Sequence, residues 1–201
     1  MTGDTQTRPR FPWIATLVVL IAVTVMVRLG FWQLDRLLQK EAMIARFVAV
    51  QADISVHPYP SNDDIAPLDY SRVRMECTKI LGQTAVAGEN AQHQSGWALQ
   101  AECALTHDGK GRVKVRLGWA NQPTPVVWTG GVVQGTLLHE KILSDVIVAD
   151  PPLAGLQPNA RPDPRNLPNN HFSYAVQWFL FAGTALVIYA IALRKRLKGK
   201  G

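Results

Sequence analysis

The chain has 201 residues, 47% of them hydrophobic, two cysteines and a formal net charge of +6. That charge is not spread as a nucleic-acid surface requires. Residues 35–170 carry 13 Lys/Arg against 14 Asp/Glu, the excess sits towards the two ends, and no basic stripe is interleaved with aromatics. Nucleic acid is therefore excluded as a partner, and the apolar content gathers in two segments that bracket one domain's worth of chain.

Residues 1–12 read as a polar tail with Arg8 and Arg10, ending in Phe11-Pro12-Trp13 at an interfacial position. Residues 13–34 read as a first transmembrane helix, uncharged from Ile14 to Val27 and apolar again after Arg28. A secretory signal peptide is the competitor, but Val25-Met26-Val27-Arg28 offers no small-x-small cleavage site, so the segment is expected to stay as an anchor. A short leader containing Asp4 does not suit a mitochondrial transit peptide, which points to a bacterial plasma membrane. Arg28 is an ionisable group within a span and hence a site candidate, with snorkelling to the headgroups as the plain alternative. Trp32, Arg36 and Lys40, four residues apart, share one side of a helix expected to continue to about Val50 and to end before Pro58 and Pro60.

Residues 35–170 form the middle domain. Val73-x-Met75-x-Cys77, Trp97-x-Leu99-x-Ala101-x-Cys103-x-Leu105 and Val113-x-Val115-x-Leu117-x-Trp119 alternate apolar and polar positions, which predicts strands with one buried and one wet face in an antiparallel sheet. His107-Asp108-Gly109-Lys110-Gly111 predicts a hairpin between the last two. Further strands are expected at Val126-Val127-Trp128 and Val132–Leu138, separated by Gly130-Gly131, and at Val146-Ile147-Val148. Outward Arg72, Arg74, Glu102, Lys114 and Arg116 read as a cross-strand charge ladder rather than a binding patch.

Cys77 and Cys103 both fall on inward positions of strands expected to be neighbours. Phase and an oxidising compartment allow a disulfide, while two buried thiols or a metal pair remain open. No Cys-x-x-Cys, His-x-x-x-His or methionine cluster favours copper or zinc. His57, His93, His107 and His139 stand alone in sequence and read as structural. No nucleophile elbow or phosphate-binding glycine loop is present either, so no catalytic constellation stands out. The proline-rich segment 151–168 reads as an extended, semi-rigid lead into the second span.

Residues 171–193 predict that second span. Its 22 uncharged residues from Phe172 to Leu193 cover about 30 Å at 1.5 Å each. Residues 194–201 carry Arg194-Lys195-Arg196-Leu197-Lys198, which places this end in the cytoplasm by the positive-inside rule. The expected architecture is a membrane protein with two transmembrane α-helices flanking a mainly antiparallel-β extracytoplasmic domain, a small sheet or barrel-like. Both termini would be cytoplasmic and the middle domain periplasmic. Asn170 or Ser173 is placed to cap the second helix, and His171, Tyr174 and Trp178 share one face of it, with Gln177 close by. Imidazole ligates haem iron, aromatics wall a porphyrin and arginines pair with propionates, so a haem or quinone-like site competes here with simple interfacial anchoring.

Four motifs together resemble the Surfeit locus protein 1 family. They are Leu29-Gly30-x-Trp32-Gln33-Leu34-x-Arg36-x-x-x-Lys40, Tyr70-x-x-Val73, Gly118-Trp119 after a basic strand, and Asn169-Asn170-His171-x-x-Tyr174-Ala175-x-Gln177-Trp178-Phe179. Their order covers nearly the whole chain. Two departures stand out: Leu117 intervenes where the family has Arg-Gly-Trp, and Ala101-Glu102-Cys103 replaces a Thr-Pro step. The resemblance implies an assembly factor for haem-copper cytochrome c oxidase that binds haem a transiently and aids its insertion into subunit I, with haem a synthase as a further partner. It makes His171 the leading candidate for the iron ligand; the cofactor-binding residues expected with it are Trp32, Tyr174 and Trp178 as walls of the macrocycle, Gln177 beside them, and Arg28 or Arg36 at the propionates. The alternative it leaves is a structural docking factor for an oxidase subunit that never touches haem.

Overall fold

The computed structural model describes residues 11–60, 65–105, 111–139 and 145–198. By compactness the chain divides into two units, Met1–Ala42 with Pro168–Gly201, and Met43–Leu167.

The first unit is built from two long apolar helices. Helix α1, Trp13–Ala52, enters this unit with its residues up to Ala42, and α2 is His171–Leu197. Each is long and apolar enough to cross a bilayer. α2 carries Arg194, Lys195 and Arg196 in its last turn, where cations complement the helix dipole. Asn170 is the N-cap residue, but its side chain makes no capping bond, and Ser173 lies inside the helix. The expected side-chain cap is therefore not formed.

The second unit is a seven-stranded sheet with β1 Val56–Pro58, β2 Arg72–Cys77, β3 Lys79–Glu89, β4 Ser95–Ala104, β5 Arg112–Ala120, β6 Gly131–Leu138 and β7 Val146–Ala149. The strand order is β1-β2-β6-β7-β5-β4-β3. Antiparallel pairs dominate, as the alternation predicts, while β1 with β2 and β5 with β7 run parallel. β2 lies near one end of that order and β3 at the other, yet only Thr78 separates them in the chain. The sheet must therefore roll up on itself, which gives the barrel-like form. Inside the roll lie Val73, Met75 and Cys77 of β2, Ala101 and Cys103 of β4, Val113, Val115 and Leu117 of β5, Val133 and Leu137 of β6, and Ile147 and Ala149 of β7. This every-second-residue set is the buried face read from the sequence.

Two expectations for this unit are corrected. Val126–Trp128 is not a strand: both Val126 and Trp128 pack against the core from an irregular segment, and Gly130 and Gly131, with φ of +97° and +116°, turn the chain into β6. A Cβ at Gly130 would also lie 2.6 Å from the Cys77 carbonyl oxygen. Strand β3 was not expected at all. Its Lys-Ile-Leu-Gly-Gln-Thr-Ala-Val-Ala-Gly-Glu run is broken by small residues and by a bulge between Ile80 and Gly82, so no clean alternation survives. Segment 151–168, expected as an extended, semi-rigid lead, is hydrogen-bonded along the sheet: Leu153 N–H donates to Leu117, Gln157 exchanges bonds with Trp119, and Ala160 N–H donates to Glu89.

Cys77 and Cys103 form a disulfide, with Cα atoms 5.4 Å apart. Their strands are not hydrogen-bonded neighbours as expected. Cys77 sits at the corner where the chain passes into β3, and β3 brings Ile80 opposite Cys103. The charge ladder is present in part: Arg112 pairs with Glu102, which faces Lys114, and Arg72 reaches Asp150 at 3.7 Å. The hairpin tip at 106–110 lies outside the described residues.

Candidate functional site

Two apolar helices can pack closely only where small residues let their backbones approach. In the first unit α1 and α2 run antiparallel, with Thr16 hydrogen-bonded to Tyr189 at one level and Gln33 to His171 at the other. Between them Gly30 faces the ring of Phe179, where an added Cβ would lie 2.6 Å from Cε1, and Ala175 and Ala182 are buried on α2. Phe31 meets the same Phe179 ring edge-on at 5.4 Å between centroids.

This close approach brings Gln33 to His171. His171 Nδ1 and Gln33 Oε1 are 2.7 Å apart, a hydrogen bond between residues 138 apart in sequence. The imidazole is half-buried, and its Nε2 has no partner among the described residues. Gln33 stands in the first motif of the chain, but its amide was not among the expected ligand-site groups. Nothing local in sequence pairs it with His171, because the pairing depends on how two distant helices meet.

The other expected site residues distribute around that bond. Tyr174 and Trp32 are each 51% exposed, so both offer free aromatic faces, and Gln177 is exposed. Trp178 is partly buried and meets Phe181 edge-on at 6.2 Å. Arg36 holds its guanidinium 5.8 Å from the Trp32 ring centroid and donates to Gln39 Oε1 at 2.8 Å. Trp32 and Arg36 lie within one turn of Gln33 and so share the level of His171. Arg28 is exposed, about 7.5 Å along the axis from Gln33 and about 200° around the helix from Gly30. The structure thus joins His171 to Gln33, puts Trp32 and Arg36 at the same level, and brings neither Arg28 nor Trp32, each about 200° around α1 from Gly30, to the helix contact.

The residue types fit a haem iron: one imidazole nitrogen is open, Tyr174 and Trp178 lie on the His171 side of α2 by helical spacing, and a guanidinium stands at its level. Among the described residues no group of three or more His, Cys, Asp or Glu side chains could hold a bare metal ion.

A second polar cluster lies in the sheet unit, and sequence reasoning missed it by treating His139 as solitary. His139 Nδ1 meets Asp145 Oδ1 at 2.8 Å, Tyr59 donates to Asp145 Oδ2 at 2.8 Å, and the His139 backbone N–H donates to Asp69 Oδ1 at 2.9 Å. Burial pushes the Tyr59 phenol up, and its bond to Asp145 adds to the shift. Burial likewise raises Asp69, against the lowering effect of the His139 N–H. The cluster ties the ends of β1, β6 and β7 to the turn before β2. His93 also has a carboxylate partner, Glu89, at 3.1 Å on the surface.

No curated protein matches the chain. The family model of the SURF1 family matches residues 20–183, a stretch that contains both Gln33 and His171. The chain belongs to the SURF1 family, which is linked to cytochrome oxidase assembly.

Proposed function

We propose that this protein is an assembly factor for haem-copper cytochrome c oxidase that receives haem a at the membrane interface and aids its insertion into subunit I. The observation that carries the proposal is the half-buried His171, anchored through Nδ1 with Nε2 open. Bound there, haem a would supply an iron centre with vacant coordination for one or two nitrogen ligands. His171 Nε2 would be the protein ligand. Trp32, Tyr174 and Trp178 would contact the macrocycle, with Gln177 at its rim and Arg36 at a propionate. Arg28, about 7.5 Å along α1 from Gln33, would serve lipid headgroups instead, and surrounding lipid would accommodate the farnesyl tail. A carrier must hold its cargo firmly enough to protect it and loosely enough to release it, and a site on an exposed helix edge leaves one side open to the acceptor. The sheet unit would dock subunit I or haem a synthase on the periplasmic side of a bacterial inner membrane.

The test is the visible spectrum of the full-length protein purified in mild detergent from cells that make haem a, beside His171→Ala. A haem spectrum present in the wild type and lost in the variant is expected. Equal haem content in both would overturn the assignment. A wild type without haem while the synthase is active would leave a docking factor that acts on the oxidase subunit alone.

A further inference from the structure

A neutral imidazole carries one proton on two nitrogens, and only the bare nitrogen can bind a metal. In an unconstrained histidine side chain the proton sits mostly on Nε2, the nitrogen farther from the backbone. A protein that needs Nε2 as a ligand must therefore supply an acceptor to Nδ1. Such acceptors are usually a carboxylate or a backbone carbonyl, which fixes the ring's orientation and raises the basicity of the ligating nitrogen.

In this chain the group opposite Nδ1 is an amide side chain from the other helix. Gln33 Oε1 is 2.7 Å from His171 Nδ1, and no other group among the described residues bonds either ring nitrogen. Gln33 is held at that distance by the close helix approach one turn away, where Gly30 meets the Phe179 ring. We propose that Gln33 is a positioning residue: it takes the Nδ1 proton of His171, keeps the ring in the Nδ1–H tautomer and presents Nε2 as the ligand atom. The proposal rests on the haem-binding reading of His171. A carbonyl oxygen is a weaker acceptor than a carboxylate, so the imidazole stays a moderate donor to iron. That suits cargo which has to leave again.

The opposite pairing has a clear signature. If the Gln33 amide N–H donated to Nδ1 instead, the proton would sit on Nε2 and the ring could not ligate without rearranging. The first measurement needs no haem: nitrogen-15 spectra of the full-length protein with labelled histidine, at a pH where His171 is neutral. The expected signal is a protonated Nδ1 in the wild type, shifting to a protonated Nε2 in Gln33→Met, which keeps the side-chain length and removes the acceptor. A wild type already protonated on Nε2, or a Gln33→Met variant with an unchanged tautomer, overturns the proposal.

The second measurement uses haem. Gln33→Met should weaken haem binding by roughly 10- to 100-fold, the usual effect of removing such a partner. Gln33→Glu, a stronger acceptor at the same distance, should keep haem bound and lower its reduction potential below that of the wild type. A purely structural role would make Gln33→Glu resemble Gln33→Met, or leave the potential of the bound haem unmoved, and either result overturns the positioning role. Failure of the two readings is distinguishable. Haem retained in His171→Ala sinks the function proposed above whatever the tautomer, whereas haem lost in His171→Ala and undiminished in Gln33→Met sinks this inference alone.

Discussion

Asp69 shows how a single side chain sets a pH dependence in the sheet unit. Its carboxylate accepts the His139 backbone N–H, yet burial raises its pKa above the ordinary 3.8. A carboxyl whose folded pKa lies above the unfolded value is more readily protonated in the native state. Its contribution is then most favourable below the unfolded pKa and declines as pH rises from that value through the folded one. Asp69→Asn keeps an oxygen for the His139 N–H and removes the charge. The variant should therefore have a higher thermal midpoint than the wild type at neutral pH, with the difference shrinking towards the acid end. Thermal unfolding of the full-length protein in detergent across that range checks it, and a lower midpoint at neutral pH would refute it. At this scale the sequence was least legible. His171, Tyr174 and Trp178 stood out because they share a helix face at the entrance to an apolar run. Gln33 and Asp69 did not, because Gln33 lies 138 residues from His171 and Asp69 lies 70 residues from His139, while Asp145, only 6 residues from His139, was overlooked.

Among elements, period-two alternation was a reliable guide wherever side chains were large enough to show it. β2, β4 and β5 were legible in this way and β6 and β7 as short apolar runs, and their inward residues are the ones that fill the roll. β3 was hidden by glycine, alanine and a bulge, and β1 by its brevity beside Pro58. Val126–Trp128 was overread, because an apolar triplet that packs on a core need not pair with a strand. The helices were legible as apolar runs, but their contact turns on one small residue. Gly30→Val would force a Cβ to within 2.6 Å of the Phe179 ring, tighter than real contacts allow. Overpacking of this kind costs about 1–3 kcal/mol. The variant should show a lower thermal midpoint and lose the Nδ1–H signal of His171, since a wider helix separation takes Gln33 out of reach. An unchanged midpoint together with an intact Nδ1–H signal would mean that the Phe179 ring turns aside and that Gly30 is not what sets the separation.

For the molecule as a whole, the disulfide links architecture to compartment. Cys77 and Cys103 enclose β3 and most of β4, and they pin the corner at which the rolled sheet closes. Both sulfurs are buried, with Cys77 2% and Cys103 0% exposed, so the pair is a structural bond rather than an accessible redox couple. Closing a loop of 26 residues restricts the unfolded chain enough to stabilise the fold by about 3 kcal/mol. Such a bond persists only in an oxidising compartment. In the proposed topology the basic residues that end α2 would lie on the cytoplasmic side, and the sheet between the two spans would lie on the other. The two arguments are independent, since one uses charge beyond the spans and the other thiol chemistry within the sheet, and both support the proposed placement of Met43–Leu167 outside the cytoplasm. Acid-quenched cells should therefore yield full-length protein whose two thiols resist alkylation until a reductant and a denaturant are added together. The Cys77→Ser/Cys103→Ser variant should insert normally but unfold with about 3 kcal/mol less stability. Free thiols in the acid-quenched protein would place the sheet in a reducing compartment. They would remove, at one stroke, the topology and the outer-face position proposed for His171.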